Sequence, residues 1–256
     1  MTHFLFVEIK QALFSKKMIL AVLLGTLLIS RPLWNILLCG ENQYYAPMEM
    51  LSFPLAVSDF TPFAPVFAIL PYAMIFCVEY NSHYTKNILL RCREKQYGLS
   101  KVISVALSGG VSLGLIFLIV IIISITTAGE PHTIDSASFL LNTIWQKAGL
   151  VTAYAGAGVY VGRVFLAFLF GMLWAEIALF LSTVWTNIYV SLVLPFVIYQ
   201  ALWVTLQQFP FNPLYLLRAD YAGIPSLLSV ILYQSFSIII VSILAYMGIV
   251  RRCRNV

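Results

Sequence analysis

The side chains that most often carry catalysis or bind metal ions are few in this chain and are not grouped. Its three histidines, His3, His83 and His132, are scattered, so no H-E-x-x-H zinc site exists, and the four cysteines lack zinc-ligand spacing. No Gly-Lys dipeptide occurs, so the G-x-x-x-x-G-K-[ST] loop that binds nucleotide phosphates is absent. We therefore expect no catalytic residue, no metal site and no cofactor held by this chain, and a protein that is not an enzyme.

Two ionisable residues fall within apolar stretches and are candidates for a polar function inside a membrane. Glu176 is either a proton site or polar wall of a substrate path, or a carboxylic acid hydrogen-bonded to a neighbouring helix; we favour the second. Arg31 either meets an anionic head group or extends to the membrane interface, as long side chains near helix ends usually do, and we again favour the second.

The composition of the chain is that of a membrane protein. Of its 256 residues, 61% are hydrophobic and 10% are charged, against about 25% charged in soluble proteins. The mean hydropathy is +0.92. Apolar runs near the length needed to cross a bilayer recur along the whole chain. This excludes a soluble globular protein and a disordered chain, and predicts an all-α integral membrane protein with a single domain at residues 1–256.

The apolar runs predict six transmembrane helices. The predicted spans are Met18–Leu38, Phe60–Val78, Val102–Ala128, Tyr160–Val184, Ile188–Leu206 and Ile224–Val250. The third is the clearest because it contains no charged residue. A break at Arg163 would divide the long stretch around the fourth span into two and give a seven-span alternative.

The positions of the basic residues predict the orientation. With six spans and both termini in the cytoplasm, eleven of the fifteen basic residues lie on inner segments. These are Lys10, Lys16, Lys17, Lys86, Arg91, Arg93, Lys95, Lys101, Arg251, Arg252 and Arg254. A seven-span chain would export the last three, so the positive-inside rule favours six. The net charge of +5 is thus assigned to membrane orientation, and we expect no nucleic-acid partner.

Three segments are expected to lie at the membrane surface. Residues 1–17 have an apolar side and a polar side, with Glu8 on the polar side, which predicts an amphipathic interfacial helix on the inner surface. Residues 136–158 are expected outside or in the outer leaflet, next to other spans. Residues 209–223 form an outer segment that is either re-entrant or on the surface.

The longest inner connection, residues 79–101, is short, basic and amphipathic. Its basic residues are Lys86, Arg91, Arg93, Lys95 and Lys101. Composition alone favours an ordinary positively charged loop that contacts anionic membrane lipids. The order of its residues favours a more specific interpretation.

That order resembles the cytoplasmic signature of permease subunits of type-2 ABC transporters, roughly E-x-x-x-G-T-x-K-x-L-L-x-R-G, followed by an aromatic residue and a lysine. The matching residues are Glu79, Thr85, Lys86, Asn87, Ile88, Leu89 and Arg91, with Tyr97 and Lys101 at the later positions. Tyr84 and Cys92 stand where the family has glycine. The six predicted spans, the N-terminal helix, a short inner turn at Thr183–Asn187 and the segment 209–223 also match the layout of that family.

The resemblance implies the membrane subunit of an exporter that works with a separate ATPase subunit, to which ATP and Mg²⁺ bind. The residues it implies in coupling to that subunit are Glu79, Thr85, Lys86, Asn87, Arg91, Arg93 and Lys95. A second copy of this chain or a related permease would complete the translocation path. The many aromatic residues in the spans suit a hydrophobic or amphipathic cargo such as a lipid, peptide or antibiotic-like compound, although contact with membrane lipids explains most of them.

The expected location is the plasma membrane, in a bacterium, with the chain crossing several times. Two other classes of function stay open. The chain is alternatively a non-transporting scaffold or immunity protein at the membrane, or an ion-coupled secondary transporter that uses Glu176. An obligatory ATPase partner separates the exporter from both.

Overall fold

A computed structural model describes residues 2–40, 47–90, 92–128, 157–209, 211–218 and 226–254. Within these ranges all regular secondary structure is helical. The helices are α1 Thr2–Leu13, α2 Lys16–Leu38, α3 Pro47–Val57, α4 Phe60–Ile69, α5 Ile75–Asn81, α6 Tyr84–Leu89, α7 Glu94–Thr127, α8 Ala157–Val184, α9 Ile188–Thr205, α10 Pro213–Arg218 and α11 Leu227–Arg254. The all-helical fold predicted from composition is confirmed.

Several of these helices can cross a membrane. The five stretches that are long and apolar enough are Phe4–Leu38, Glu94–Thr127, Gly158–Val184, Ile188–Thr205 and Leu227–Arg254. A sixth candidate consists of α3 and α4 together, which meet at an angle of 88°. The described residues therefore contain five candidate spans, or six if the bent pair counts as one, as in a membrane-embedded protein. The side of the membrane that each end faces stays a prediction.

Helix α8 is continuous from Ala157 to Val184. It passes through Arg163 without interruption, so the break required for a seventh span at this position does not exist. Arg163 is 3% exposed, and its guanidinium donates a hydrogen bond to the Ser52 hydroxyl of α3 at 3.2 Å. A polar contact between helices thus satisfies part of this buried cation.

The second predicted span, Phe60–Val78, is divided into two helices. A turn at Leu70–Met74 separates α4 from α5. Pro71 has no amide hydrogen, so the carbonyl of Phe67 loses the partner that it would have four residues later in a helix. The Ser112 hydroxyl of α7 donates to that carbonyl at 2.8 Å. The span is therefore broken and its free carbonyl is satisfied by a neighbouring helix, features that apolar length alone does not reveal.

A proline within α4 itself is compensated in the same way. Pro65 cannot donate to the carbonyl of Thr61. The hydroxyl of Tyr199 in α9 donates to this carbonyl at 3.0 Å. Pro65 in α4 and Pro71 just after it thus free carbonyls of α4 whose hydrogen bonds fix this helix to both α7 and α9.

The centre of the bundle is the antiparallel pair α7 and α8, which approach each other at glycines. A Cβ atom on Gly109 would overlap the Cβ of Ala175 and lie 2.6 Å from the carbonyl oxygen of Gly171. Small residues at a helix contact allow backbones to pack closely where lipid offers no hydrophobic driving force between helices. The α7–α8 contact therefore requires glycine at position 109.

Replacing Gly109 with alanine is expected to destabilise the chain by about 1–3 kcal/mol, because the added methyl group forces α7 and α8 apart. Gly114→Ala is the matched control, since the nearest atoms to its added Cβ lie 3.8 Å away on Phe168. Thermal unfolding in detergent measures both. Equal midpoints for the two variants would show that the Gly109 contact is not a constraint on packing.

The helix α1, the helix α6 and the last turn of α11 lie at the same end of the bundle. Ala12, Ile88 and Cys253 belong to one buried apolar cluster there. The turn between α8 and α9 joins them, since the Asn81 side chain donates to the Thr186 carbonyl at 2.9 Å. We call this the basic end. Its cationic side chains include Lys86, Arg93, Lys95, Arg251, Arg252 and Arg254.

Two short helices pack against the core at the opposite end. Helix α3, which is not among the predicted elements, buries Met50, Leu51 and Leu55. Helix α10 lies within the predicted outer segment 209–223 and buries Leu216 and Leu217 against the core. Residues 210 and 219–223 of that segment, and 136–156 of the predicted interfacial segment 136–158, lie outside the described residues.

Candidate functional site

A buried lysine lies at the basic end, where α1, α5 and α7 meet. Lys101 is 0% exposed. Its Nζ donates to Glu8 Oε2 at 2.8 Å and to Glu79 Oε1 at 2.6 Å. A buried ammonium group is tolerated only when it is paired and hydrogen-bonded, because its desolvation costs several kcal/mol. Glu8 and Glu79 therefore offset the desolvation of the Lys101 ammonium group, and these two ion pairs join α1 and α5 to α7.

Two tyrosine hydroxyls complete the hydrogen bonding of these carboxylates. Tyr72 donates to Glu8 Oε2 at 2.6 Å, and Tyr97 donates to Glu79 Oε2 at 2.7 Å. The Lys101 Nζ also lies 5.5 Å from the centroid of each ring, within cation–π range. We call Glu8, Tyr72, Glu79, Tyr97 and Lys101 the Lys101 cluster.

The Lys101 cluster depends on an early start of α7. The third span was predicted to begin at Val102, whereas α7 begins at Glu94. The additional turns place Tyr97 and Lys101 four residues apart, on one face of the helix. Tyr97 and Lys101 were assigned to the inner connection 79–101, at the start of the third span, and the structure places both within α7. They are helical and buried because their polar groups find partners inside the protein.

The predicted polar face of α1 was wrong. Glu8 was expected on the polar side of an amphipathic helix, but it is 5% exposed. The exposed residues of α1 and the residue after it include Phe6 and Phe14, at 67% and 81%. The physical reason is Lys101, which lies 93 residues further along the chain and supplies the counter-charge that Glu8 needs for burial.

The short helix α6 follows α5 and turns the chain toward α7. His83, just before it, has a φ angle of 57°, in the left-handed region that disfavours most residues other than glycine. Counted from Glu79, the first glycine of the motif of the resembling family falls at His83 itself, one residue earlier than the alignment on Thr85 places it, and α6 begins at Tyr84. Thr85 and Ile88 are buried and anchor α6 to the protein. The turn is thus made without the expected glycine.

The other side of α6 faces outward. Lys86, Asn87 and Leu90 are exposed, as is Arg93 just before α7. We call these four residues the α6 surface. Its two cations and its exposed leucine, which is 87% accessible, suit contact with an acidic protein surface that also has an apolar pocket.

The residues predicted for coupling thus fall into an exposed group and a buried group. The exposed ones are Lys86, Asn87, Arg93 and Lys95. Glu79 and Thr85 are buried at 8% and 1% exposure, so in this conformation neither side chain is available to a partner, and Glu79 bonds Tyr97 and Lys101 of α7. Arg91 lies outside the described residues. Glu8, Tyr72, Tyr97 and Lys101 complete the site and were not among the predicted site residues; for Tyr97 and Lys101, the motif positions after Arg91 were the available signal.

The turn between α8 and α9 is fixed to the same end. Arg252 of α11 donates from Nε to the Thr183 carbonyl at 2.8 Å and from Nη2 to the Val184 carbonyl at 2.7 Å. A cation at the carboxyl end of a helix satisfies its free carbonyls and its dipole. Together with the bond from Asn81 to Thr186, these contacts connect α5, α8 and α11 at the basic end.

The two predicted intramembrane residues lie away from the Lys101 cluster. Glu176 on α8 is 0% exposed, and neither carboxylate oxygen has a hydrogen-bond partner among the described residues. The favoured prediction, a carboxylic acid hydrogen-bonded to a neighbouring helix, is therefore wrong for the described structure. Arg31 is exposed on α2, about 21 Å along the helix from Lys17, which is compatible with a side chain that extends to the interface.

Three aromatic residues considered for a cargo path form part of the core. Phe170, Trp174 and Tyr199 are at most 2% exposed. The Trp174 and Tyr199 rings are T-shaped at 5.2 Å between centroids, and Phe170 lies 6.0 Å from Tyr199. Edge-to-face packing of this kind stabilises a protein interior. These three side chains contact neither lipid nor an open path in this conformation, whereas Phe165 is exposed at 45%.

One serine has the spacing of a nucleophile motif but not its geometry. Ser112 lies in the sequence G-V-S-L-G at Gly110–Gly114, in the middle of α7. A nucleophile of this type requires a sharp turn between a strand and a helix. The Ser112 hydroxyl is buried and bonded to the Phe67 carbonyl. Among the described residues there is also no group of three or more His, Cys, Asp or Glu that could hold a metal ion.

We compared the chain with protein-family models, curated proteins and solved structures, and none matches. The long apolar helices support a membrane protein. A more specific function is inferred from the Lys101 cluster, the α6 surface and the order of residues in the connection 79–101.

Proposed function

We propose that this chain is the membrane-spanning subunit of an ATP-driven exporter, coupled to a separate ATPase subunit that binds ATP and Mg²⁺. The observation that supports this most strongly is the α6 surface, an exposed basic face on a short helix anchored to the bundle by Thr85 and Ile88. A protein that presses on such a surface can move the helices behind it. The resemblance of residues 79–101 to type-2 ABC permeases supports the same function.

The Lys101 cluster provides a physical route from α6 to the spans. Ile88 of α6 packs in the same apolar cluster as Tyr97. Tyr97 is hydrogen-bonded to Glu79, and Lys101 links Glu79 to Glu8. Closely packed elements tend to move as units because a dense interior does not deform continuously. In the proposal, closure of the ATPase displaces α6, and α1, α5 and α7 move with it.

The proposed roles of the coupling residues follow their exposure. Those proposed to contact the ATPase are Lys86, Asn87, Arg93 and Lys95. Charges at the rim of such an interface accelerate association and select the partner. Thr85 and Glu79 are proposed to position α6 from the inside. The role of Arg91 stays a prediction from the motif.

The cargo path is proposed to form between this chain and a second copy or a related permease. In the apolar 18-residue parts of Phe4–Leu38 and Ile188–Thr205, only 28% and 17% of the residues are buried, which leaves apolar surface for such a neighbour. Surfaces with almost no charge suit a hydrophobic or amphipathic compound, such as a lipid, peptide or antibiotic-like molecule. The proposed location is a bacterial plasma membrane with both termini in the cytoplasm.

The experiment that tests this function is purification of the tagged chain from its own cells in mild detergent, with mass spectrometry of the proteins that remain bound. A stoichiometric ATPase with a phosphate-binding loop, whose hydrolysis depends on this chain, is the expected result. If no ATPase is recovered in any mild detergent or after chemical cross-linking, the exporter proposal fails and the scaffold or immunity function becomes the better one.

A second candidate function is an ion-coupled transporter, and Glu176 is the observation that favours it. A fully buried carboxyl group without a hydrogen-bond partner is the type of residue that carries protons in such proteins. Ion-coupled transporters usually bind ions and substrate with several polar groups near the middle of the membrane, whereas Glu176 is a single carboxyl group.

Glu176→Gln separates the two functions. In the exporter, ATP hydrolysis by the purified complex should stay within about twofold of the native rate, since the Glu176 carboxyl has no hydrogen bond among the described residues for the change to remove. In a carrier, transport driven by a pH gradient should be abolished because glutamine cannot take up a proton. Assays of both activities in vesicles, with and without an imposed pH gradient, discriminate between them.

A further inference from the structure

A cleft at the basic end lies between the start of α7 and the last turns of α11. It has a volume of about 530 Å³ and is lined by Lys95, Tyr246, Met247, Val250, Arg251 and Arg254. A close contact between the two helices forms its apolar part, because a Cβ on Gly98 would lie 3.3 Å from the Tyr246 ring and 3.4 Å from Val250. The cleft is therefore built by helix packing and does not depend on a mobile loop.

The charge of the cleft is positive. Arg254 forms an ion pair with Glu94 at 3.2 Å, and both side chains are partly accessible. Lys95 and Arg251 are exposed and have no carboxylate partner among the described residues. Three cations against one anion leave a net charge of +2 at the cleft. An anion bound here would be attracted by Lys95 and Arg251 together.

An apolar surface continues from the cleft along α11. Met247 at its edge is 52% exposed, and Ile243, Ile240 and Phe236 follow at 52%, 42% and 66%. Their spacing of three or four residues places these side chains on one face of the helix. α11 is one of the spans, so this face is available to the hydrocarbon region of a membrane. Basic and apolar surfaces thus adjoin each other in the order that a phospholipid requires.

We propose that this cleft binds the head group of an anionic phospholipid, with its acyl chains along the exposed face of α11. A soluble anion would use the cations but leave the apolar stripe uncovered, and a zwitterionic lipid would gain little from a net positive charge. Basic pockets between transmembrane helices are known to suit acidic lipid head groups. The bound lipid bridges Lys95 of α7 and Arg251 of α11 and so stabilises the contact between these helices.

This proposal does not depend on the exporter function, because it concerns the purified chain alone. The test titrates dioctanoyl phosphatidylglycerol into the detergent-solubilised full chain and measures the unfolding temperature. Dioctanoyl phosphatidylcholine and glycerol phosphate are the comparison ligands. Phosphatidylglycerol at saturation should raise the midpoint by about 4 °C or more, while the zwitterionic lipid and the soluble phosphate should have little effect.

The variant Lys95→Gln with Arg251→Gln should lose at least about two thirds of the shift, because binding loses both unpaired cations. Lys86→Gln with Arg93→Gln removes the same charge from the α6 surface and should keep the shift. Arg251→Lys alone should also keep most of it. An equal shift in the cleft variant and the native chain would overturn the proposal, as would a similar shift with phosphatidylcholine or glycerol phosphate.

Discussion

Replacement of Lys101 with methionine is expected to destabilise the chain by about 3–5 kcal/mol. The side chain is fully buried between Glu8 and Glu79, so its loss leaves two carboxylates close together without a cation. Methionine has a similar length, so the change removes charge with little change in volume. In thermal unfolding this corresponds to a fall of about 6–20 °C in the midpoint.

A variant in which the Lys101 cluster carries no charge shows whether the loss of stability in Lys101→Met comes from unbalanced charge or from lost packing. Combining Lys101→Met with Glu8→Gln and Glu79→Gln should recover most of the loss, because buried ion pairs are often no more stable than neutral groups of similar volume. Lys10→Met on the exposed side of α1 is the control for removing one cation and should have little effect. If Lys101→Met unfolds at the native temperature, the Lys101 cluster does not hold α1, α5 and α7 together.

Reversal of charge on the α6 surface is expected to detach the proposed ATPase partner. Lys86→Glu with Arg93→Glu changes two exposed side chains, so the chain should fold and enter the membrane as before. An acidic partner would then meet like charge where it now meets opposite charge. The amount of ATPase recovered with the purified chain should fall by about tenfold or more, measured by quantitative mass spectrometry.

The matched control reverses the same number of charges elsewhere at the same end of the molecule. Lys10→Glu with Lys17→Glu alters exposed residues of α1 and α2 and leaves the α6 surface intact. The ATPase should be recovered with this variant at close to the native amount. A similar loss in both variants would mean that net charge, and not the α6 surface, determines the association.

The long helices could be predicted from the sequence because what a span requires, a continuous apolar segment, is a local property of the chain. A segment that crosses a bilayer must be apolar over about 20 residues, and α2, α8 and α9 were predicted within three residues of their ends. The choice of one helix through Arg163 was correct. That choice relied on the positive-inside rule, which needs only a count of the basic residues in each segment between spans and no knowledge of contacts.

The Lys101 cluster could not be predicted from the sequence because it depends on contacts between residues that are distant along the chain. A lysine near the start of an apolar run is read as a surface residue unless its partners are known. Glu8 lies 93 residues away, and its assignment to the polar side of α1 followed the ordinary rule for amphipathic helices. The rule fails here because the buried side of α1 faces a cation.

The break between α4 and α5 shows a second limit of what the sequence alone can predict. Prolines marked the segment as irregular, but whether they bend a helix depends on the donors that reach the freed carbonyls. Ser112 and Tyr199 supply these bonds from α7 and α9. Neither side chain has a local pattern that marks it for this role.

The central claim, that the α6 surface contacts a separate ATPase, is tested most directly by photo-cross-linking in intact cells. A photoreactive amino acid replaces Lys86 or Asn87, and in a control chain it replaces Trp34, which is 64% exposed on α2 toward the opposite end. The account predicts a covalent product between positions 86 or 87 and an ATPase with a phosphate-binding loop, and none from position 34. Products from 86 and 87 that contain only lipid or unrelated proteins, or an ATPase product of equal yield from position 34, would contradict it.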